Sequence, residues 1–293
     1  LLEKKPSVDG GDDGVKILID CGMIQGSKFV ENLNRSEFKY DPSSIDYLLV
    51  THSHIDHIGR IPKLVRDGFK GMILSTPETK ELSRLMLEDA LKILEEEARK
   101  DGQLPLYEKK DVEKSLSLWN SLPYHTSREI EGGFNIYFKD SGHILGSVMI
   151  EITYNGKKIV FTGDLGNSPS PLLKDTESVA EADYMVMESV YGDRNHEQKD
   201  ERQNRLKNII KNALEKKSTL IIPAFSLERT QVILHEMNDI LEKGDVANLP
   251  VFIDSPLASK VTEVYKKYAM DDFNETVKAE IRAGDDVFDF YRL

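Results

Sequence analysis

Four potential metal ligands lie within six residues of this sequence, directly after a short apolar segment. His52, His54, Asp56 and His57 follow Tyr47–Thr51, whose apolar character predicts a buried β-strand. Side chains two residues apart in an extended segment point to the same side, so His52 and His54 can bind one ion. Asp56 and His57, past the turn, can face a second position nearby. Imidazole and carboxylate ligands together favour zinc, with iron, manganese or nickel as alternatives, whereas a polar loop with incidental histidines is the competing interpretation.

Short apolar segments alternate with longer helical ones, which predicts an α/β fold. Thr76 and Pro77 are a favourable helix start, and apolar residues then recur at helical spacing to about Lys100. Two further helices are predicted over about Asp200–Lys217 and Glu228–Lys243. The predicted strands are Val15–Asp20, Tyr47–Thr51, Gly71–Leu74, Phe134–Lys139, Met149–Tyr154, Lys158–Thr162, Tyr184–Glu188, Thr219–Pro223 and Pro250–Asp254.

Composition restricts the compartment and the partners. The chain has 39 Lys and Arg against 51 Asp and Glu, a net charge of −12, so nucleic-acid binding would need a local basic surface. The single cysteine, Cys21, excludes an intrachain disulfide, and a reducing cytoplasm is therefore expected. Cys21 itself is expected to be a small buried residue and not a ligand. No apolar run approaches the roughly 20 residues of a membrane helix, so no membrane association is expected.

Two further candidate ligands also follow predicted strands. His143 lies in a segment with two glycines, and Asp164 lies between Gly163 and Gly166. Glycine lets the backbone turn tightly and approach a site closely. A lone histidine or a Gly-Asp turn is usually structural, but beside the first motif both become candidate metal ligands.

Other polar residues have more ordinary interpretations. Three histidines lack a ligand-like context and are expected to be surface or core residues: His125, His196 and His235. Four basic residues share one predicted helical face after the metal motif and would either guide phosphates or form a solvated face: Arg60, Lys63, Arg66 and Lys70.

Taken together, these motifs resemble the metallo-β-lactamase superfamily, and more narrowly its β-CASP branch of nucleic-acid-processing nucleases. Thr51–Pro62 looks like the bacterial and archaeal relatives of the cleavage-and-polyadenylation endonuclease. Glu188–Arg194 resembles the first acidic motif of the β-CASP branch. Ile222–Gln231 and Asp254–Ala258 resemble strand-to-helix turns of its inserted domain, although Glu228 occupies a position where glycine is expected.

The resemblance implies an α/β architecture, a metallo-β-lactamase αββα sandwich with an inserted β-CASP α/β domain. We expect the metallo-β-lactamase domain over residues 1–194 and an incomplete β-CASP domain over residues 195–293, with polar residues at Tyr191–Lys199 marking the boundary. The family's first strand, its later histidine motifs and its return to the first domain have no counterpart here. The sequence is therefore interpreted as a fragment that lacks the extreme N-terminus and the C-terminal part.

The resemblance also implies a metal-dependent endoribonuclease that hydrolyses phosphodiester bonds of single-stranded RNA in processing or decay. Two zinc ions are expected, with manganese or iron as alternatives, and the second site is expected to be incomplete in the fragment, which would then be weakly active or inactive. The implied ligand set divides into two groups: His52, His54 and His143 for one ion, and Asp56, His57 and Asp164 for the other.

Individual roles follow from the same resemblance. Asp56 and Glu188 are expected to take part in catalysis, and Asp20 to support the metal loop by holding its ligands. Arg229 and Ser255 are expected to contact substrate. A homodimer is compatible with the sequence.

Two alternatives remain open from the sequence. A β-lactam or thioester hydrolase would use the same metal site, although compact hydrolases lack the motifs around Glu188 and Ile222–Gln231. A non-catalytic RNA-binding subunit is the second alternative, and its usual loss of metal ligands is not seen here.

Overall fold

The computed structural model describes residues 1–5, 14–26, 32–194, 202–244, 246 and 249–288. The chain divides into two compact units. The first unit comprises Leu1–Ser168 and Asp175–Glu188, and the second comprises Pro169–Lys174 and Ser189–Leu293. The assignment of residues 1–194 and 195–293 to the two family domains stays a prediction.

The described residues of the first unit form two sheets of five strands each. Sheet 1 contains, in spatial order, β1 (Leu2–Lys4), β2 (Val15–Ile19), β3 (Tyr47–Leu49), β4 (Met72–Ser75) and β5 (Trp119–Ser121). β1 runs antiparallel to β2, and the remaining neighbours are parallel.

Sheet 2 is mainly antiparallel. Its strands are β6 (Ser127–Ile130), β7 (Phe134–Asp140), β8 (Val148–Tyr154), β9 (Lys157–Phe161) and β10 (Tyr184–Val186). Strands β6 to β9 are neighbours in chain order, and β10 lies parallel to β9 at the sheet edge.

Four α-helices of the first unit are α1 (Ile55–Ile58), α2 (Ile61–Arg66), α3 (Pro77–Asp101) and α4 (Lys109–Ser117). The predicted start of α3 is confirmed, because the Thr76 hydroxyl accepts a hydrogen bond from the Thr79 amide and Pro77 is the first helical residue. Gly102 ends this helix in the left-handed conformation.

Successive side chains along the strands of sheet 1 point to opposite faces, and a hydrophobic core lies on each face. Leu48 and Val50 pack in a cluster with residues of α1, α2, α3 and α4. Tyr47 and Leu49, which point to the opposite face, pack in a second cluster with apolar residues of β7 and β8. In the first unit the described residues thus form a helix layer and two sheets, which agrees with the α/β sandwich class predicted from the sequence.

The second unit is largely helical among its described residues. Its α-helices are α5 (Arg202–Glu215), α6 (Arg229–Glu242), α7 (Pro256–Asp272) and α8 (Glu275–Arg282). Tyr265 and Phe273 are fully buried in this unit. The predicted helices over Asp200–Lys217 and Glu228–Lys243 are thereby confirmed apart from their ends, and Asp200 and His196 lie outside the described residues.

Two strand predictions are wrong. Thr219–Pro223 and Pro250–Asp254 are coil, and no strand among the described residues pairs with either segment. A strand needs a neighbour to satisfy its backbone N–H and C=O groups. Ile221 is 81% exposed and Phe252 is 85% exposed, so both side chains also lack the buried face that their apolar pattern predicted.

None of the helices in the described ranges combines the length and the apolar character that a bilayer crossing requires.

Candidate metal centre

The candidate centre forms where strands of both sheets end. The residues expected there follow the carboxyl ends of β2, β3, β7, β9 and β10: Asp20, His52, His54, Asp56, His57, His143, Asp164 and Glu188. Hydrogen-bonded strands hold their ends in fixed positions, so side chains far apart in sequence meet on the loops at one edge of the sandwich.

Three imidazoles converge on one point. His54 Nδ1 lies 3.0 Å from His52 Nε2 and 3.2 Å from His143 Nε2. Asp164 Oδ2 lies 3.6 Å from His143 Nε2 and 3.8 Å from His52 Nε2. The four side chains each direct a ligand atom into a region less than 4.8 Å across.

These distances fit a transition-metal ion. Ligand atoms roughly 2.0–2.1 Å from a tetrahedral zinc ion lie about 3.3 Å from one another, close to the distances between the four side chains. A neutral imidazole carries one N–H, so His54 Nδ1 can be a donor or an acceptor but not both in its two contacts. A shared cation explains all these contacts at once.

The protonation states also favour a metal. Burial, followed by the neighbouring imidazoles, lowers the pKa of His52 well below its usual value. Burial and His143 lower the pKa of His54 to about 4, and burial likewise lowers the pKa of His143. All three rings are therefore neutral at pH 7, which is the form that binds a metal ion.

A second group of potential ligands adjoins the first through Asp164. His57 Nε2 lies 3.3 Å from Asp164 Oδ1 and 3.9 Å from Asp56 Oδ2, whose side chain is 49% exposed. Burial lowers the pKa of His57, but hydrogen bonds with Asp164 and Asp20 outweigh it and raise this pKa to about 10. The His57 hydrogen bond in turn lowers the pKa of Asp164. The negative carboxylate of Asp164 thus lies between two sets of imidazoles, His52 and His143 near one oxygen and His57 near the other.

Asp20 fixes the loop from behind. Its carboxylate accepts hydrogen bonds from the Thr51 amide and the Thr51 hydroxyl, each at 2.8 Å, and contacts His57 Nδ1 at 2.8 Å. The last contact orients the ring so that His57 Nε2 faces Asp164. Asp20 has a φ of 54°, a left-handed conformation that aspartate tolerates better than most residues.

The backbone after Asp20 pairs with the backbone of the metal motif. The Cys21 amide donates to the His57 carbonyl at 2.8 Å, and the Met23 amide donates to the Ile55 carbonyl at 2.9 Å. Gly22 lies between them so close to the chain that an added Cβ would lie 1.4 Å from the Asp56 carbonyl oxygen. Cys21 is buried, and burial raises the pKa of its thiol to about 12, which disfavours thiolate ligation.

Glu188 follows β10 and reaches the loop that carries Asp164. Its Oε1 accepts a hydrogen bond of 2.9 Å from the Leu165 amide, and its own amide donates to the Thr162 hydroxyl at 3.2 Å. The carboxylate is therefore held beside a metal-ligand candidate, while its part in catalysis stays a prediction.

A family model described as the metallo-beta-lactamase superfamily matches residues 8–207. The chain belongs to the metallo-β-lactamase superfamily. The centre described above lies within the matched range, and its metal-ligand group contains His52, His54, His143 and Asp164.

Three relatives define the branch of the superfamily. Ribonuclease TTHA0252 of Thermus thermophilus is 34% identical over 94% of this chain and 61% of its own length. Cleavage and polyadenylation specificity factor 73 of Drosophila melanogaster is 30% identical, over 92% of this chain and 39% of its own length. Transcription termination factor FttA of Methanosarcina mazei is 28% identical, over 89% of this chain and 42% of its own length. The chain thus spans between about two fifths and three fifths of these relatives, whose names are consistent with the β-CASP RNA-processing branch.

The basic residues beside the metallo-β-lactamase metal motif have partners within the first unit. The Arg60 guanidinium lies 4.3 Å from the centre of the Phe38 ring, and the buried Lys63 ammonium donates to Asp67 at 2.5 Å. Arg66 donates to the Leu106 carbonyl at 2.5 Å. Arg60, Lys63 and Arg66 thus make contacts within the helix layer, whereas Lys70 is exposed, and a role of this face in guiding phosphates stays a prediction.

The predicted substrate residues lie in the second unit. Arg229 is the exposed first residue of α6, and Ser255 caps α7 by accepting a hydrogen bond from the Ala258 amide at 3.1 Å. The Ser255 hydroxyl also lies 3.4 Å from the Ser226 hydroxyl. Substrate binding by Arg229 and Ser255 stays a prediction.

Glu228 precedes α6 in a rare backbone conformation. Its φ of 63° and ψ of −57°, with the Arg229 amide donating to the Leu227 carbonyl at 2.8 Å, form a strained γ-turn. Glycine adopts such a conformation more readily than other residues, which accords with the glycine expected at this position. The Glu228 carboxylate accepts a hydrogen bond of 2.6 Å from the buried Tyr265 hydroxyl, and burial raises the pKa of Glu228 to about 7.

Replacing Asp20 with asparagine is expected to lower metal affinity by about 10- to 100-fold, because the amide cannot supply the same three acceptor contacts to Thr51 and His57. Zinc competition with a chelating dye measures the change. The matched control is Asp46→Asn. The Asp46 carboxylate also accepts a backbone hydrogen bond, from the Lys16 amide in β2, but Asp46 lies just before β3, whereas the metal motif follows β3. Equal metal affinity in the two variants would contradict a supporting role for Asp20.

A pH effect on stability is expected from Glu228. Its pKa in the folded chain lies above the ordinary 4.5, so the fold favours the protonated form. The stability that protonated Glu228 contributes is fully present below about pH 4.5 and is lost as the pH rises through 7. The free energy of unfolding should fall by at most about 3 kcal/mol over this range. Glu228→Gln is expected to flatten the profile in denaturant titrations, whereas Glu263→Gln on the exposed face of α7 should leave it unchanged. Parallel profiles for both variants would show that Glu228 does not titrate in this range.

Proposed function

We propose that this chain carries the metal centre of a metal-dependent endoribonuclease that cleaves single-stranded RNA. The observation that supports it most is the convergence of His52, His54, His143 and Asp164 in a chain whose relatives are named as ribonucleases and RNA-processing factors. A cytoplasmic location and a homodimer are part of the same proposal.

Two zinc ions are the proposed cofactors, with manganese and iron as alternatives. The proposed ligands form two groups that share Asp164: His52, His54 and His143 on one side, Asp56 and His57 on the other. When bound, the ions supply Lewis-acid polarisation of the phosphodiester and make a nucleophile available at neutral pH.

The chain's own groups then orient the reactants. Asp56 has an exposed carboxylate that can accept a hydrogen bond from the attacking water and so direct its lone pair at phosphorus. Glu188, held beside Asp164 by the Leu165 amide, is the proposed proton donor to the leaving oxygen. Asp20 keeps His57 in the orientation that leaves Nε2 toward Asp164.

The two alternatives predict different substrates. A β-lactam or thioester hydrolase would use the same ligands, but the three relatives described above are named as a ribonuclease, a cleavage and polyadenylation factor and a transcription termination factor. A non-catalytic RNA-binding subunit would not need the neutral, preassembled imidazoles of this centre.

The test offers the full-length protein, loaded with zinc, three substrates: circular single-stranded RNA, the same sequence as a duplex, and the β-lactam nitrocefin. Circular RNA has no ends, so its conversion to a linear product reports internal cleavage alone. We expect cleavage of the circle and little reaction with the duplex or nitrocefin. Efficient nitrocefin hydrolysis with intact RNA would contradict the proposal and favour a β-lactam or thioester hydrolase. RNA binding without cleavage would instead favour a non-catalytic RNA-binding subunit.

A further inference from the structure

A second cluster of potential metal ligands lies entirely within the second unit. His235 and Asp239 are one helical turn apart on α6, and Glu280 lies on α8. Each directs a ligand atom into a region less than 4.8 Å across. Sequence spacing could not relate His235 to Glu280, because the two residues are 45 positions apart.

His235 lies at a distance from Glu280 that would allow both side chains to bind one ion. Its Nε2 lies 3.2 Å from Glu280 Oε2, close to the about 3.3 Å expected between two ligands of one zinc ion. The side chain is only 9% exposed, and within the described ranges its buried Nδ1 has no hydrogen-bond partner. The contact with Glu280 alone therefore leaves part of the polar capacity of this buried imidazole unsatisfied.

The carboxylate of Asp239 is already oriented. It accepts hydrogen bonds from Gln203 at 3.0 Å and from Lys243 at 2.8 Å, both on Oδ2. Such outer contacts fix the direction of a ligating carboxylate. Lys243 is 60% exposed, so its ammonium can move into solvent when a cation binds.

The surroundings carry an excess of negative charge. Burial raises the pKa of Glu242, and the nearby carboxylates of Asp285, Asp239 and Glu280 raise it further. Four carboxylates therefore lie near one another, with Lys243 bonded to Asp239, and a divalent cation would neutralise part of their charge.

We propose that His235, Asp239 and Glu280 bind one divalent transition-metal ion of the zinc type. Imidazole nitrogen and carboxylate oxygen are both zinc ligands, and a water molecule would complete the coordination. Bound there, the ion would join α6 to α8 and stabilise the second unit. The proposal uses no residue of the first centre and does not depend on the proposed ribonuclease activity.

The simpler interpretation is an ion pair between His235 and Glu280 alone. An ion pair needs no third residue and no metal, so it predicts that Asp239 is dispensable. A metal site predicts that loss of any of the three side chains lowers the amount of bound metal.

The experiment measures zinc binding by the metal-stripped full-length protein, using equilibrium dialysis and elemental analysis. We expect the stoichiometry to fall by one ion in His235→Ala and Asp239→Asn, with RNA cleavage retained. Asp239→Asn keeps the size of the side chain, so it remains informative if His235→Ala fails to fold. The matched control is Glu275→Gln, an exposed acid on α8, which should bind as much zinc as the wild type.

A second readout follows the stability. Zinc should raise the melting temperature of the wild type and of His54→Ala, and it should raise that of His54→Ala combined with Asp239→Asn by a smaller amount, because the double variant also lacks the site on α6 and α8. Unchanged stoichiometry in both single variants, or an equal loss in Glu275→Gln, would overturn the proposal.

Discussion

His54→Ala is expected to lower RNA cleavage by at least about 10³-fold and to reduce the bound metal. His54 Nδ1 contacts both His52 Nε2 and His143 Nε2, so its removal leaves two imidazoles where three converged. The loss of several kcal/mol of Lewis-acid stabilisation corresponds to about three powers of ten in rate. Elemental analysis and single-turnover cleavage of labelled RNA measure the two effects.

The control for this variant is His125→Ala. His125 lies in the same unit, but its side chain is exposed. Its ring nitrogen Nε2 lies 2.6 Å from Glu177 Oε1. Its replacement should leave metal content and cleavage unchanged. If His54→Ala retained full metal content and rate, the assignment of the centre would be wrong.

Gly22→Ala is expected to destabilise the chain by about 3 kcal/mol or more and to release metal. The new Cβ would lie 1.4 Å from the Asp56 carbonyl oxygen and 2.6 Å from the His57 amide nitrogen, so the backbone of the metal motif would have to move. Rigid backbone cannot absorb such an overlap as a flexible side chain can. Denaturant unfolding and zinc content are the measurements.

Gly156→Ala separates this steric effect from the conformational cost of replacing glycine. Gly156 has a φ of 73°, but an added Cβ would meet nothing within 4 Å. Its replacement should cost only about 1 kcal/mol and leave zinc bound. Similar losses in both variants would mean that the close approach at Gly22 does not control the centre.

Much of the first centre could be predicted from the sequence because each ligand follows an apolar strand. Strand β3 precedes His52, and β9 precedes Asp164, so the pattern predicted both the strand and the end at which the ligand lies. The part played by Thr51, which donates to Asp20 through its amide and its hydroxyl, was not predicted. A threonine at a strand end is too common to indicate such a contact.

The second unit was less predictable, for two reasons. Strand formation at Thr219–Pro223 depends on a neighbouring strand, which an apolar pattern cannot supply. The cluster of His235, Asp239 and Glu280 depends on how α6 and α8 pack. The four-residue spacing of the first two was visible in the sequence, but the third member could not be chosen among many acidic residues.

The backbone pairing between Cys21, Met23 and the metal motif bears on how the centre behaves without its ions. Two main-chain hydrogen bonds and a close glycine contact hold the loop, and none of them involves a metal ligand's side chain. Small zinc-dependent domains, by contrast, lose their fold when the ion is chelated. Here the emptied centre should keep its shape, so stripping and reloading would be reversible at room temperature, and different divalent ions could be exchanged into one unchanged framework.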